Sequence, residues 1–230
     1  GEKQNIEPRF ELKAEWISQG IWHPYNLGVT GDVDIDGIPE VIGKKGPEVS
    51  NNNTTLFETI VVLNGQNGEV KYEIDFPGVL WTFSSVAIGD LDRNGLVEII
   101  TTTSSISTGG GRIYNFEYNN NGNFDLKWIS DVPAIDRNYL DRDAHSPHLA
   151  DFNGDGLSEV YVINKIYNGA NGELILDSGD SKFIGRAYNS QYFNQFTLAA
   201  DVLQDSQCPD CEGLELLAGG RVYSVHIDTM

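Results

Sequence analysis

Three stretches of this chain place oxygen-bearing side chains at alternate positions, follow them with a glycine and close on a glutamate. They are Asp32-Val-Asp-Ile-Asp-Gly-Ile-Pro-Glu40, Asp90-Leu-Asp-Arg-Asn-Gly-Leu-Val-Glu98 and Asp151-Phe-Asn-Gly-Asp-Gly-Leu-Ser-Glu159. A short loop of this kind turns every second side chain toward one centre. Its sixth-place glycine allows a sharp turn without a Cβ clash. The chemistry that asks for such an oxygen cage is calcium binding, which takes about 6–8 oxygens at about 2.3–2.6 Å. The first loop would supply the side chains of Asp32, Asp34, Asp36 and Glu40 with the Ile38 carbonyl. The second would supply Asp90, Asp92, Asn94 and Glu98 with that of Leu96, and the third Asp151, Asn153, Asp155 and Glu159 with that of Leu157. About three structural Ca²⁺ ions are expected. Magnesium suits such flexible, carbonyl-containing loops poorly. A plain solvated Asp-Gly turn has no need of three inward carboxylates, recurring at one period.

A fourth copy begins at Ala200-Asp201 and rejoins the pattern at Gly213-Leu-Glu-Leu-Leu217, but Cys208-Pro-Asp-Cys211 interrupts it. These are the two cysteines of the chain. No helix follows them, as a thiol redox pair would want, and no second ligand pair stands nearby for zinc. The expected role is a small disulfide staple, standing in for the fourth calcium and pointing to an oxidising location.

The leading aspartates Asp32, Asp90, Asp151 and Asp201 recur 58, 61 and 50 residues apart. A period of about 40–60 residues marks a repeat architecture such as a propeller or solenoid. Within the second repeat, 85–89, 98–103, 112–118 and 124–129 read as strands, rich in β-branched and alternating residues and joined by turns such as Asn119-Asn-Asn-Gly-Asn123. The first and third repeats agree, with turns at Asn64-Gly-Gln-Asn-Gly68 and Asn168-Gly-Ala-Asn-Gly172. Four-stranded meanders at this period predict an all-β chain, a β-propeller of four-stranded blades. Residues 10–18 resemble the fourth strand at 124–130, and the chain ends after a third strand at 221–227. The single domain over 1–230 then holds about four blades, near 20–77, 78–132, 139–180 and 186–230, the last completed by strand 10–18. Two forms stay open: a closed ring, or a section of a larger propeller whose open edges invite self-association.

Composition agrees. Of 230 residues, 40% are hydrophobic and 25 are glycine, which suits a globular chain of strands and turns. No run reaches the ~20 apolar residues of a membrane-spanning helix. No basic N-region precedes an apolar stretch, so an export signal would lie outside these residues. The net charge of −19 repels phosphate backbones and anionic lipid. Nucleic acid and membrane insertion are therefore not expected, and cations are.

At these loops and strands the chain resembles the FG-GAP/VCBS repeat family, the calcium-loop β-propellers of integrin α-subunits and many bacterial surface proteins. The likeness covers residues ~20–228 by repeat spacing. The literal Phe-Gly and Gly-Ala-Pro elements are absent, and the family's usual blade number is seven. The resemblance implies a secreted or cell-surface module for adhesion or ligand display, with a glycan or extracellular protein as partner. Some polysaccharide lyases resemble the family too.

A ligand would be expected at the axial mouth of such a fold. Six residues before each leading aspartate stand Asn26, Ser84, His145 and Gln195, with Trp22 and Trp81 nearby. Polar groups beside aromatic faces suit sugar rings; the same aromatics would equally fill gaps between blades. No Gly-x-Ser-x-Gly elbow accompanies Asp143-Ala-His145-Ser146, so no catalytic residues are assigned. A non-catalytic binding module is expected, with a polysaccharide-degrading enzyme or a structural spacer as alternatives.

Overall fold

The computed structural model describes residues 12–18, 28–45, 57–80, 84–103, 110–119, 121–135, 145–179, 197–204, 213–218 and 221–227. All regular structure among them is β. The first sheet holds β1 (Val29–Gly31), β2 (Glu40–Lys45), β3 (Phe57–Asn64) and β4 (Val70–Leu80). The second holds β5 (Ala87–Gly89), β6 (Glu98–Thr102), β7 (Ile113–Tyr118) and β8 (Phe124–Ile129). The third holds β9 (His148–Ala150), β10 (Glu159–Val162), β11 (Lys165–Tyr167) and β12 (Leu174–Asp177). The fourth holds β13 (Thr197–Ala200), β14 (Glu215–Ala218) and β15 (Arg221–Tyr223). Each sheet is an antiparallel meander in chain order.

The second strands of the second and third sheets are enclosed throughout. All five residues of Glu98–Thr102 and all four of Glu159–Val162 are buried, because these runs of β-branched residues sit inside the sheet and between sheets. Three apolar clusters result, each shared by two consecutive sheets. The first joins Ile42, Ile60 and Val62 to Ile99, Phe116 and Phe124; the second joins Ile100 and Ile113 to Val160 and Tyr167; the third joins Tyr161 and Ile166 to Leu216 and Ala218. Each fully buried side chain of this size contributes about 1.5–3 kcal/mol. The short first strands adjoin in sequence, β1 to β5, β5 to β9 and β9 to β13.

Residues 12–18 form no strand, and β13–β15 is a three-stranded sheet among the described residues, so the expected completion by strand 10–18 is not seen there. The likeness of 10–18 to 124–130 nonetheless has a structural counterpart. Trp128 on β8 donates its indole N–H to Gly169 O of the next sheet at 3.0 Å, and Trp16 donates to Gly65 O at 3.0 Å. Each indole lies on a glycine of an Asn-Gly-x-Asn-Gly turn. A Cβ on Gly68 would meet Trp16 Cε3 at 2.4 Å, and one on Gly172 would meet Trp128 Cε3 at 2.4 Å.

Candidate metal centre

Each acidic loop joins the first strand of its sheet to the second, and side chain-to-backbone bonds shape it. Asp32 Oδ2, Asp90 Oδ2 and Asp151 Oδ2 accept the N–H groups of Gly37, Gly95 and Gly156 at 3.0, 3.0 and 2.7 Å. The fifth-place side chains Asp36, Asn94 and Asp155 accept from Ile38, Leu96 and Leu157 at 2.8, 2.7 and 2.7 Å. The glutamates close the loops: Glu40, Glu98 and Glu159 accept the N–H of Val33, Leu91 and Phe152 at 3.0, 2.8 and 2.9 Å. Fourth-place residues are left-handed in all three, with φ of 60° at Ile35, 57° at Arg93 and 69° at Gly154. The tight curl is the same in all three loops.

The fourth loop keeps one part of this plan. Glu215 accepts from Val202 N at 2.8 Å and Leu203 N at 3.1 Å. It is the counterpart of the three closing glutamates, and its signal in the sequence is the Gly-Leu-Glu-Leu-Leu run. Cys208 and Cys211 lie outside the described residues, as do Trp22, Asn26, Trp81 and Gln195.

The geometry gathers charge. Carboxylate oxygens of Asp32, Asp34 and Asp36 lie within 4.8 Å of one another, and so do those of Asp90, Asp92 and Glu98. The third loop forms no such acidic triple, Asn153 holding the third place. Two buried oxygens, Asp34 Oδ1 and Asp151 Oδ1, have no hydrogen-bond partner. A bare buried carboxylate oxygen is costly. A cation satisfies it, so the donor set fits an oxygen-ligated divalent ion in the third loop on this ground and in the second by its converging carboxylates, while in the first a lysine ammonium already stands among the carboxylates.

Lysines that sequence reasoning passed over also enter these loops. On β4, Lys71 Nζ lies 2.6 Å from Asp34 Oδ2, 2.7 Å from Asp36 Oδ2 and 2.8 Å from Glu40 Oε1. The Lys71 ammonium is pulled down by partial burial but held up more strongly by these three carboxylates, and ends above the ordinary lysine range. Bonding to Lys71, then to the Ile38 N–H, lowers Asp36. On β8, Lys127 turns instead to Glu117, at 2.8 Å, and stands 3.8 Å from Asp92. Burial, then Glu117 and Asp92, pushes Glu98 up to about 7. Burial raises Glu159, and the charges of Asp155 and Asp151 add to it.

Ser84 and His145 are buried at sheet junctions. Lys44 Nζ donates to Ser84 O at 2.8 Å and to Ser84 Oγ at 2.5 Å, while Thr102 Oγ1 donates to His145 O. Lys44 and Thr102 occupy the same place, four residues after the closing glutamate. The two polar positions singled out as mouth residues therefore carry matching links between one sheet and the next. Burial lowers Lys44 to about 7 and His145 to about 4.

No protein-family model matches the chain, and no curated protein matches it. Among solved structures it is similar to the exotype rhamnogalacturonan lyase YesX, with a TM-score of 0.53 at 14% identity over 87% of this chain and 38% of that one. It also aligns with a rhamnogalacturonan lyase, PL11, of Bacillus licheniformis (TM-score 0.44, 14% identity, 86% of this chain and 44% of that one). A third is the biofilm matrix protein Bap1 of V. cholerae (TM-score 0.35, 19% identity, 89% of this chain and 37% of that one). At 14% identity the likeness to YesX is one of fold. The chain spans less than half the length of each of these proteins.

Proposed function

We propose that this chain is a calcium-stabilised β-propeller section that works outside the cell as a recognition module for a glycan. The loops carry the reading. Three successive sheets repeat one oxygen-rich turn, each closed by a buried glutamate, and two of the turns hold a buried carboxylate oxygen without a partner. Successive meanders joined through adjoining first strands favour blades about a common axis. Millimolar extracellular calcium suits loops of this size, whose affinities in secreted modules lie near ~10⁻⁴–10⁻³ M.

The fold likeness to a rhamnogalacturonan lyase makes rhamnogalacturonan the first glycan to try. A chain of net charge −19 repels an acidic polysaccharide unless cations intervene. Binding to such a glycan should therefore require calcium. A glycan and matrix-protein array, probed in millimolar calcium and again with chelator, tests this. Calcium-dependent binding to one sugar class supports the module; binding to a matrix protein alone replaces the glycan with a protein ligand. A blank array under both conditions favours a structural spacer. The same fold likeness favours a second reading, a lyase or an accessory part of one. Appearance of unsaturated products from rhamnogalacturonan with pure protein would establish it. No helix among the described residues is long and apolar enough to cross a membrane.

A further inference from the structure

The outermost strand of each complete sheet carries a β-bulge at the same place. On β4 the register steps from Leu63–Val70 to Val62–Tyr72, leaving Lys71 as the extra residue. On β8 it steps from Phe116–Leu126 to Asn115–Trp128, leaving Lys127. On β12 it steps from Tyr167–Leu174 to Ile166–Leu176, leaving Ile175. Leu63, Phe116 and Tyr167 each pair with the residue after a closing glutamate, Val41, Ile99 and Val160. The three bulged residues are therefore equivalent, and a bulge re-aims the side chain it carries.

What each does differs. Lys71 places its ammonium among Asp34, Asp36 and Glu40, with Asp34 and Glu40 side chains only 3% and 0% exposed. An ammonium has three donors; Asp36 and Glu40 accept two of them, and Asp34 Oδ2, which accepts the Tyr72 hydroxyl at 2.7 Å, pairs with the charge at 2.6 Å. Lys127 is drawn aside by Glu117, which stands opposite Glu98 where the first sheet has Asn64 opposite Glu40. The converged oxygens of Asp90, Asp92 and Glu98 keep their centre. Ile175 carries no charge; Arg93 reaches the third loop but donates to the backbone carbonyls of Asp155 and Gly156, and among the described residues no ion pair engages the carboxylates of Asp151, Asp155 or Glu159.

We infer that the three loops are not equivalent cation sites: Lys71 is the built-in cation of the first loop, and only the second and third take a divalent ion. This rests on the calcium reading above and refines it, setting the stoichiometry at two where the loop spacing alone predicts three. A divalent ion in the first loop would have to expel Lys71 before it could collect the oxygens of Asp34, Asp36 and Glu40. Asp34 Oδ1 stays unpartnered beside the lysine and is the remaining point of attachment there, so the count of bound ions decides the matter.

Calcium titration by calorimetry on the full chain tests it, with Lys71→Met and Ile175→Lys beside the wild type. The expected counts are two ions for the wild type, three for Lys71→Met and one for Ile175→Lys. Three ions in the wild type overturn the inference, whatever the variants do, and leave the calcium reading intact. Two in both the wild type and Lys71→Met overturn it as well. No ion in any of the three overturns the calcium reading and this inference together. Ile175→Lys keeps the test decisive if Lys71→Met does not fold, because it moves the lysine to a different sheet: two ions in that variant overturn the inference.

Discussion

At Glu159 one oxygen caps a buried backbone N–H, and burial, with the charges of Asp155 and Asp151 added, raises the carboxyl above its ordinary range. Removing it by Glu159→Ala leaves the Phe152 N–H without its partner, at a cost of about 1–3 kcal/mol. Glu215→Ala should cost the same order, although its loop has lost the repeat of aspartates, because Val202 and Leu203 depend on it in the same way. Urea unfolding of both variants checks this; a neutral Glu215→Ala would remove the fourth loop from the series. Lys44 makes a second prediction. Burial holds its folded value near 7 against an ordinary 10.5. Between those limits the unfolded chain binds a proton that the folded chain lacks, so stability rises with pH from about 7 to about 10. Below 7 both states are protonated and the penalty is fully present. Lys44→Met should flatten that rise in a series of thermal melts. A slope unchanged by the substitution would show that Lys44 is not its source.

Between elements, the recurring device is an indole laid on the turn of the next sheet. Trp128 is 9% exposed, bonds to Gly169 and crowds Gly172. Trp128→Ala removes a large buried ring and should cost about 3–5 kcal/mol. Gly172→Ala inserts a Cβ where the ring already lies and should destabilise as well. Trp16→Ala should cost less, since its ring is only partly buried and its segment adds no strand. Denaturant midpoints rank the three; equal effects of Trp16→Ala and Trp128→Ala would mean that segment 12–18 holds the first sheet as firmly as β8 holds the third.

Across the whole molecule, the proposed calcium sites couple ion binding to stability. At tenfold its dissociation constant, which is millimolar calcium on a site of ~10⁻⁴ M, an ion adds about 1.4 kcal/mol per site. For a chain of this size that is about 3–6 °C in melting temperature per site. Excess chelator should lower the melt by at least that much, and refilling with calcium should restore it. A melt indifferent to chelator would sink the structural role of the ions. Acid should also weaken the fold, since burial lowers His145 to about 4 and the unfolded chain takes up a proton there as pH falls below about 6.5.

The loops, the four-strand period and the all-β class were legible in the sequence because their causes are local. Alternating oxygens, a left-handed or glycine position and a closing glutamate lie within nine residues, and strand alternation shows within six. The match of Trp16 to Trp128 was legible for the same reason, as a repeat of short segments, although the strand expected around Trp16 is not formed among the described residues. Which loop already owns a cation was not legible. Lys71 reaches Asp34 and Glu40 from more than thirty residues away, and only the bulge register on β4 aims it there. The burial of Ser84 and His145 was hidden likewise, because Lys44 and Thr102 meet them across sheets. Spacing along the chain set what each loop can hold; packing between distant strands decided what fills it.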